Sequence, residues 1–198
     1  MNEEIASKRV LLVRHGETAW SASGKHTSRT NLPLSDEGVE QAKRLRTVLA
    51  GKKFSTVRTV LCSPMKRALQ TCSIAGYEDR AQVCQALVEW NYGDYEGLTT
   101  AVIRQSNPSW SLWHDGAPGG ESPDEVAKRA DEVLEYIHEA PQDILVFSHA
   151  HFLRALASRW IRMEVEFGER LSLSTASISI LGFEHDLPVI VSWNALYV

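Results

Sequence analysis

Two histidines and two arginines in this 198-residue sequence stand at places where distant parts of a chain can be brought together. Arg14 and His15 follow the apolar run Val10–Val13, Arg67 follows Thr59–Cys62 and a Ser63-Pro64 turn, and His149 follows Ile144–Phe147. Paired guanidiniums can hold a phosphate or carboxylate through their planar fork of N–H donors. A neutral His15, fixed in one tautomer by a backbone partner on its other ring nitrogen, can attack phosphorus. Phosphoryl transfer needs mainly positioning and neutralisation of the equatorial oxygens, which fixed cations can supply without a metal. Glu89 ends the apolar stretch Ala86-Leu87-Val88, where burial favours the protonated form that a general acid needs.

The elements that must position these residues read as strands alternating with helices. Each short apolar run is a buried strand whose polar tip emerges at the sheet edge. A helix capped by Ser35 carries Val39, Ala42, Leu45 and Leu49 on one face and ends near Gly51. A second, with Pro64 in its first turn, carries Arg67, Ala68, Thr71 and Ile74 and stops at Gly76. A third begins with the capping box Ser122-Pro-Asp-Glu125, and a fourth covers Phe152 to Ile161. Segments 176–183 and 188–193 read as later, antiparallel strands.

This alternation predicts a three-layer α/β/α sandwich with a mostly parallel central sheet and a ligand crevice beyond the strand C-termini. Residues 1–198 read as a single domain. The Gly- and Pro-rich segment 91–121 reads as a loop-rich insertion over that crevice. Trp110 and Trp113 within it are expected to pack, with a stacking wall for a sugar or aryl group as the alternative. His151 is expected simply to start its helix. His149-Ala-His151 lacks a carboxylate partner at metal-site spacing, so no metal or other cofactor is expected.

The composition, with 43% hydrophobic and 23% charged residues, is that of an ordinary globular protein. A net charge of −4 argues against a general nucleic-acid surface. Cys62, Cys72 and Cys84 form neither a CxxC pair nor an even set, which suggests a reducing compartment. The polar stretch Met1–Arg9 and the four-residue run after it fall far short of a signal core or membrane span, so a cytoplasmic protein with no membrane partner is expected. A homo-oligomer is a possible state on which the sequence carries no signal.

Leu12-Val-Arg-His-Gly-Glu-Thr18 resembles the RHGE signature of the histidine phosphatase superfamily, also called the phosphoglycerate mutase-like family. Ser63-Pro-Met-Lys-Arg-Ala-Leu-Gln-Thr71 is similar to its SPxxRaxqT segment, and Leu87-Val-Glu-Trp-Asn-Tyr-Gly93 and Phe147-Ser-His149 follow in family order. The resemblance implies the phosphoglycerate mutase-like fold, His15 as the phosphorylated residue, Glu89 as the acid, and Arg14, Arg67 and His149 as phosphoryl ligands. It also implies substrate contacts from Ser21, Thr27, Ser28, Tyr92 and Ala150. Ser21 stands where many members have Asn, and Ser28 and Ala150 where many have Gly. A side chain at Ser28 would be strained if that backbone needed positive φ.

A metal-independent phosphatase acting on a small phosphorylated metabolite is therefore the expected function. The stretch from Glu89 to Gly97 looks like that of sugar-bisphosphate phosphatases, which favours sugar phosphates or bisphosphates, with broad acid phosphatase activity close behind. Segment 91–121 holds Asp94, Glu96, Asp115 and Glu121 against Arg104, which disfavours a carboxylate-bearing phosphate. The alternatives are a phosphoglycerate mutase, which family mutases suggest would be a longer chain with extra loops, and a non-catalytic scaffold that binds a phospho-ligand.

Overall fold

The computed structural model describes residues 8–197, so Met1–Ser7 of the polar N-terminal stretch lies outside the described residues. Six strands, β1 (Val10–Arg14), β2 (Thr59–Cys62), β3 (Ala81–Val83), β4 (Ile144–Ser148), β5 (Ile178–Glu184) and β6 (Leu187–Ala195), form one sheet in the order β3-β2-β4-β1-β5-β6. β1, β2, β3 and β4 run parallel, and β5 is antiparallel to both β1 and β6, so β5 alone opposes the rest. The helices are α1 (Ala19–Ala22), α2 (Asp36–Leu49), α3 (Lys66–Ile74), α4 (Thr100–Ser106), α5 (Leu112–Asp115), α6 (Pro123–Glu139) and α7 (Ala150–Trp160). No helix among the described residues is long and apolar enough to cross a membrane.

Alternation along the central strands divides the core into two layers. Val10 and Leu12 join Ile144 and Val146 under α6 and α7, while Leu11 and Val13 join Leu145 and Phe147 under α2 and α3. Side chains of β1 and β4 are buried on both faces, as a parallel sheet covered by helices requires. The three-layer α/β/α sandwich is as the sequence indicates. Trp110 and Trp113 are buried in the α6–α7 layer.

Local signals set most of the boundaries. Ser122 and Glu125 form the expected capping box at α6, and Gly76 ends α3 with φ of +88°. Two boundaries differ. Pro64 precedes the N-cap Met65 instead of entering α3, which lets Ser63 and Pro64 form the turn that leaves β2. α7 starts at Ala150, two residues early, because His149 at the end of β4 is its N-cap. Strand β3 and helices α1, α4 and α5 had no sequence reading, and Val39 is only half-buried on α2.

The loop after β1 lies against the start of α2 through two glycines. A Cβ on Gly38 would stand 2.1 Å from the Glu17 carbonyl oxygen, and one on Gly16 would stand 2.5 Å from that of Gly38. Both obstacles are backbone, so neither yields by a rotamer change. Gly38→Ala should therefore displace the loop next to His15, at a cost of about 1–3 kcal/mol or roughly 2–12 °C in melting temperature. Thermal unfolding checks this, and a variant that melts with the parent protein would contradict it.

Candidate active site

The tips of β1, β2 and β4 meet through backbone hydrogen bonds. The His15 N–H donates to the Ser148 carbonyl at 3.0 Å, and the Ser63 N–H donates to the Phe147 carbonyl at 3.0 Å. Thr71 on α3 links the two sides, accepting from the Gly16 N–H at 2.9 Å and donating to the Arg67 carbonyl at 2.7 Å. Arg14, His15, Arg67 and His149 are thus gathered at one end of the sheet.

His15 Nδ1–H donates to the Gly16 carbonyl at 2.7 Å, which fixes the tautomer and leaves the Nε2 lone pair free. Burial, then the Arg14 and Arg67 charges, push the His15 pKa well below the ordinary value of 6.5, so the ring is neutral. The His149 ring lies 5.2 Å from that of His15. Because Arg67 can only donate, its 3.1 Å bond from Nε makes His149 Nδ1 an acceptor, and His149 Nε2–H donates to Ser63 Oγ at 2.7 Å.

The two arginines differ in what they offer. Arg67 is fully buried, with Nη1 donating to the Thr30 carbonyl and Nη2 to those of Thr27 and Ser28. Arg14 Nη1 donates to the Leu173 carbonyl at 2.6 Å, while Arg14 Nε is buried with no hydrogen-bond partner among the described residues. Neither guanidinium forms an ion pair with a carboxylate among the described residues. Two largely desolvated cations beside a neutral imidazole make a receptor for an anion.

Glu89 follows a 3-10 turn at Gln85–Leu87 and is buried. Its Oε1 accepts from the Trp90 and Phe152 N–H groups at 2.9 and 2.8 Å, and its Oε2 from the His151 N–H at 3.1 Å. The carboxyl therefore closes the N-terminus of α7, whose first N–H groups lack helical partners. Arg129 on α6 holds the preceding backbone, donating to the Ala86 and Val88 carbonyls at 2.9 and 2.7 Å.

A cavity of about 260 Å³ opens beside these groups, lined by Arg14, His15 and Glu89 and by the expected contacts Ser21, Thr27, Tyr92 and Ala150. Arg67, His149 and Ser28 are buried and do not line it. Ser28 is absent from the residues with positive φ, so its side chain is unstrained; its N–H donates to Glu96. The lining also includes Lys25, His26, His151 and Arg154, which sequence reasoning missed. His151 is more than a helix start: a 2.6 Å hydrogen bond joins its Nδ1 to the Tyr92 hydroxyl. Helical spacing was the available signal for Arg154, three residues after His151.

None of the four acids of segment 91–121 lines the cavity. Glu96 accepts from the Ser28 and Thr30 N–H groups, Glu121 pairs with Arg129 at 2.8 Å, and Asp115 accepts from the Ser111 N–H. The charge balance of that segment is therefore not the charge balance of the cavity. No cluster of three or more His, Cys, Asp or Glu side chains among the described residues could hold a metal ion.

The family model described as histidine phosphatase superfamily (branch 1) matches residues 10–196. The chain belongs to that superfamily. It is a phosphoric monoester hydrolase of the histidine phosphatase type. An acid phosphatase from Mycobacterium tuberculosis is 45% identical over 183 residues, covering 91% of this chain and 89% of that one. A sedoheptulose 1,7-bisphosphatase from Saccharomyces cerevisiae is 33% identical, covering 80% of this chain and 69% of that one. The solved structure of an open reading frame product from Mycobacterium tuberculosis superposes with a TM-score of 0.90 at 41% identity, covering 96% of this chain and 99% of that one.

Burial also pushes His149 and His151 well below 6.5, and His26 down to about 4. With His15, these rings bind fewer protons folded than unfolded between their folded values and about 6.5. Stability from them is complete above the unfolded value and is lost as pH falls through the folded ones. The melting temperature should change little from these groups above pH 7 and decline between about pH 6.5 and 4. Unfolding scans across that range check the sign, and a rise in stability on acidification would contradict it.

Proposed function

We propose that the protein hydrolyses small phosphomonoesters, sugar phosphates or bisphosphates among them, through a phosphohistidine on His15. The observation that carries the reading is a neutral His15 with Nε2 free, beside the buried Nε of Arg14, which has no hydrogen-bond partner among the described residues. The Nε2 lone pair attacks phosphorus, the ester P–O bond breaks, and the leaving oxygen takes a proton from Glu89. A water molecule then loses a proton to the Glu89 carboxylate and attacks phosphorus. The P–N bond breaks and neutral His15 is restored. Arg14 neutralises the phosphoryl oxygens from the cavity wall and Arg67 from the buried layer behind it, while the neutral His149 contributes a hydrogen bond by turning its Nε2–H from Ser63 Oγ to a phosphoryl oxygen.

Glu89 is suited to both halves because Oε2 accepts one backbone donor against two at Oε1, leaving it the greater capacity to carry the proton. Ser21, Thr27, Tyr92 and Ala150 border the alcohol part of the ester, and Ser28 acts by fixing the Arg67 guanidinium through its carbonyl. The sugar-phosphate preference is supported by the similarity to the yeast bisphosphatase. We assign the chain to the cytoplasm, a reducing compartment that suits free Cys62, Cys72 and Cys84.

The test is inorganic phosphate release from sugar mono- and bisphosphates, 3-phosphoglycerate and an aryl phosphate, with EDTA present. His15→Ala should abolish release from every ester. Glu89→Gln should lower kcat by about 10²- to 10⁴-fold on alkyl esters and far less on the aryl ester, whose leaving group needs no proton. Absence of phosphate release from all of them would overturn the reading, and phosphoryl exchange between two positions of 3-phosphoglycerate would replace it with a mutase.

A further inference from the structure

The cavity holds more positive charge than one phosphoryl group requires. Arg14 in the lining and Arg67 behind it already balance a phosphoryl dianion, yet Lys25 and Arg154 line the space as well, against Glu89 as the one carboxylate among the described lining residues. When Glu89 is protonated to serve as the acid, Lys25 and Arg154 exceed what the lining itself balances, with Glu169 acting on Arg154 from outside it.

Arg154 is fixed in place. It lies three residues after His151 and four after Ala150 on α7, so all three share the helix face that borders the cavity. Its Nε donates to the Gly168 carbonyl at 2.9 Å and its Nη2 to the Glu169 carbonyl at 3.2 Å, and its guanidinium sits 4.7 Å from the centre of the Trp113 ring. These contacts are all to neutral groups. No carboxylate lies within 4.0 Å, and Nη1 has no hydrogen-bond partner among the described residues. Lys25 is exposed at the rim, its Nζ 5.5 Å from the centre of the Trp20 ring. A half-buried, pre-oriented guanidinium with an unused donor is a site for an anionic group arriving from the cavity.

We infer that Arg154, assisted by Lys25 at the rim, binds a second anionic group of the substrate, so that the preferred esters carry a further phosphate or carboxylate beyond the one that is cleaved. This inference rests on the phosphatase reading and names the substrate class of the same site. It reverses the expectation drawn from the acids of segment 91–121, because those acids are engaged elsewhere.

The experiment compares kcat/KM for fructose 1,6-bisphosphate, fructose 6-phosphate and 3-phosphoglycerate in the parent enzyme and in Arg154→Gln. The parent enzyme should prefer at least one doubly anionic ester over fructose 6-phosphate by ~10- to 100-fold, the size of one or two charge-assisted hydrogen bonds, with the difference in KM. The bisphosphate and glycerate arms tell a second phosphate from a carboxylate. In Arg154→Gln that preference should shrink at least tenfold, and Arg154→Lys should restore part of it. Hydrolysis of fructose 6-phosphate with no preference for either doubly anionic ester would overturn the inference and leave the phosphatase reading intact. So would an equal loss on all three esters in the variant. If Arg154→Gln does not fold, the parent preference and its reduction in Lys25→Gln decide the matter. Failure of the parent enzyme on every ester would remove both readings together.

Discussion

Burying a guanidinium is expensive unless its charge is answered, and Arg67 has no solvent exposure while its hydrogen-bond acceptors are the His149 ring and the carbonyls of Thr27, Ser28 and Thr30. These neutral groups satisfy its N–H donors without cancelling its charge. The rest of the site follows from that constraint. His149 is obliged to present Nδ1 as an acceptor, its other nitrogen must find Ser63, and the loop holding Thr27, Ser28 and Thr30 must keep its carbonyls turned inward, which Glu96 arranges by accepting the N–H groups of Ser28 and Thr30. With Arg14 beside it, the buried charge keeps His15 neutral and makes a phosphoryl dianion the natural complement.

The sheet makes this arrangement affordable to fold. Three parallel neighbours, β1, β4 and β2, end side by side, so residues separated by more than 130 positions in sequence, such as His15 and His149, need no long excursion to meet. Glu89 reaches the same place by another device, since its carboxyl takes the role of the missing N-cap side chain of α7. The proposed acid is therefore held by the helix that also presents Ala150, His151 and Arg154 to the cavity. A shift of α7 would move the acid and the substrate wall together.

Much of this was legible in the sequence because it depends on short, strong signals. Buried runs such as Val10–Val13 and Ile144–Phe147, each stopping at a polar tip, place the strands and the reactive residues at once. The Ser122–Glu125 capping box and Gly76 mark helix ends by local hydrogen-bonding and backbone needs. β3 escaped because only three residues pair and two of them, Gln82 and Val83, are exposed, so no apolar run announces it. Arg154, Lys25 and the true partners of Glu96 and Glu121 escaped for a different reason. Whether a charge faces a cavity or a backbone N–H is decided by tertiary contacts, and counting charges along a segment does not reveal it.

The account stands or falls on the covalent step at His15. The most direct measurement is to quench the reaction with an aryl phosphate during its first turnovers in alkali, which preserves phosphohistidine, and to locate the phosphoryl group by mass spectrometry of the digested protein. The account predicts one phosphoryl group on the peptide containing His15, lost on brief acid treatment and absent from His15→Ala. Phosphorylation of a different residue, or steady phosphate release with no phosphoryl group on His15 at any time during turnover, would contradict it.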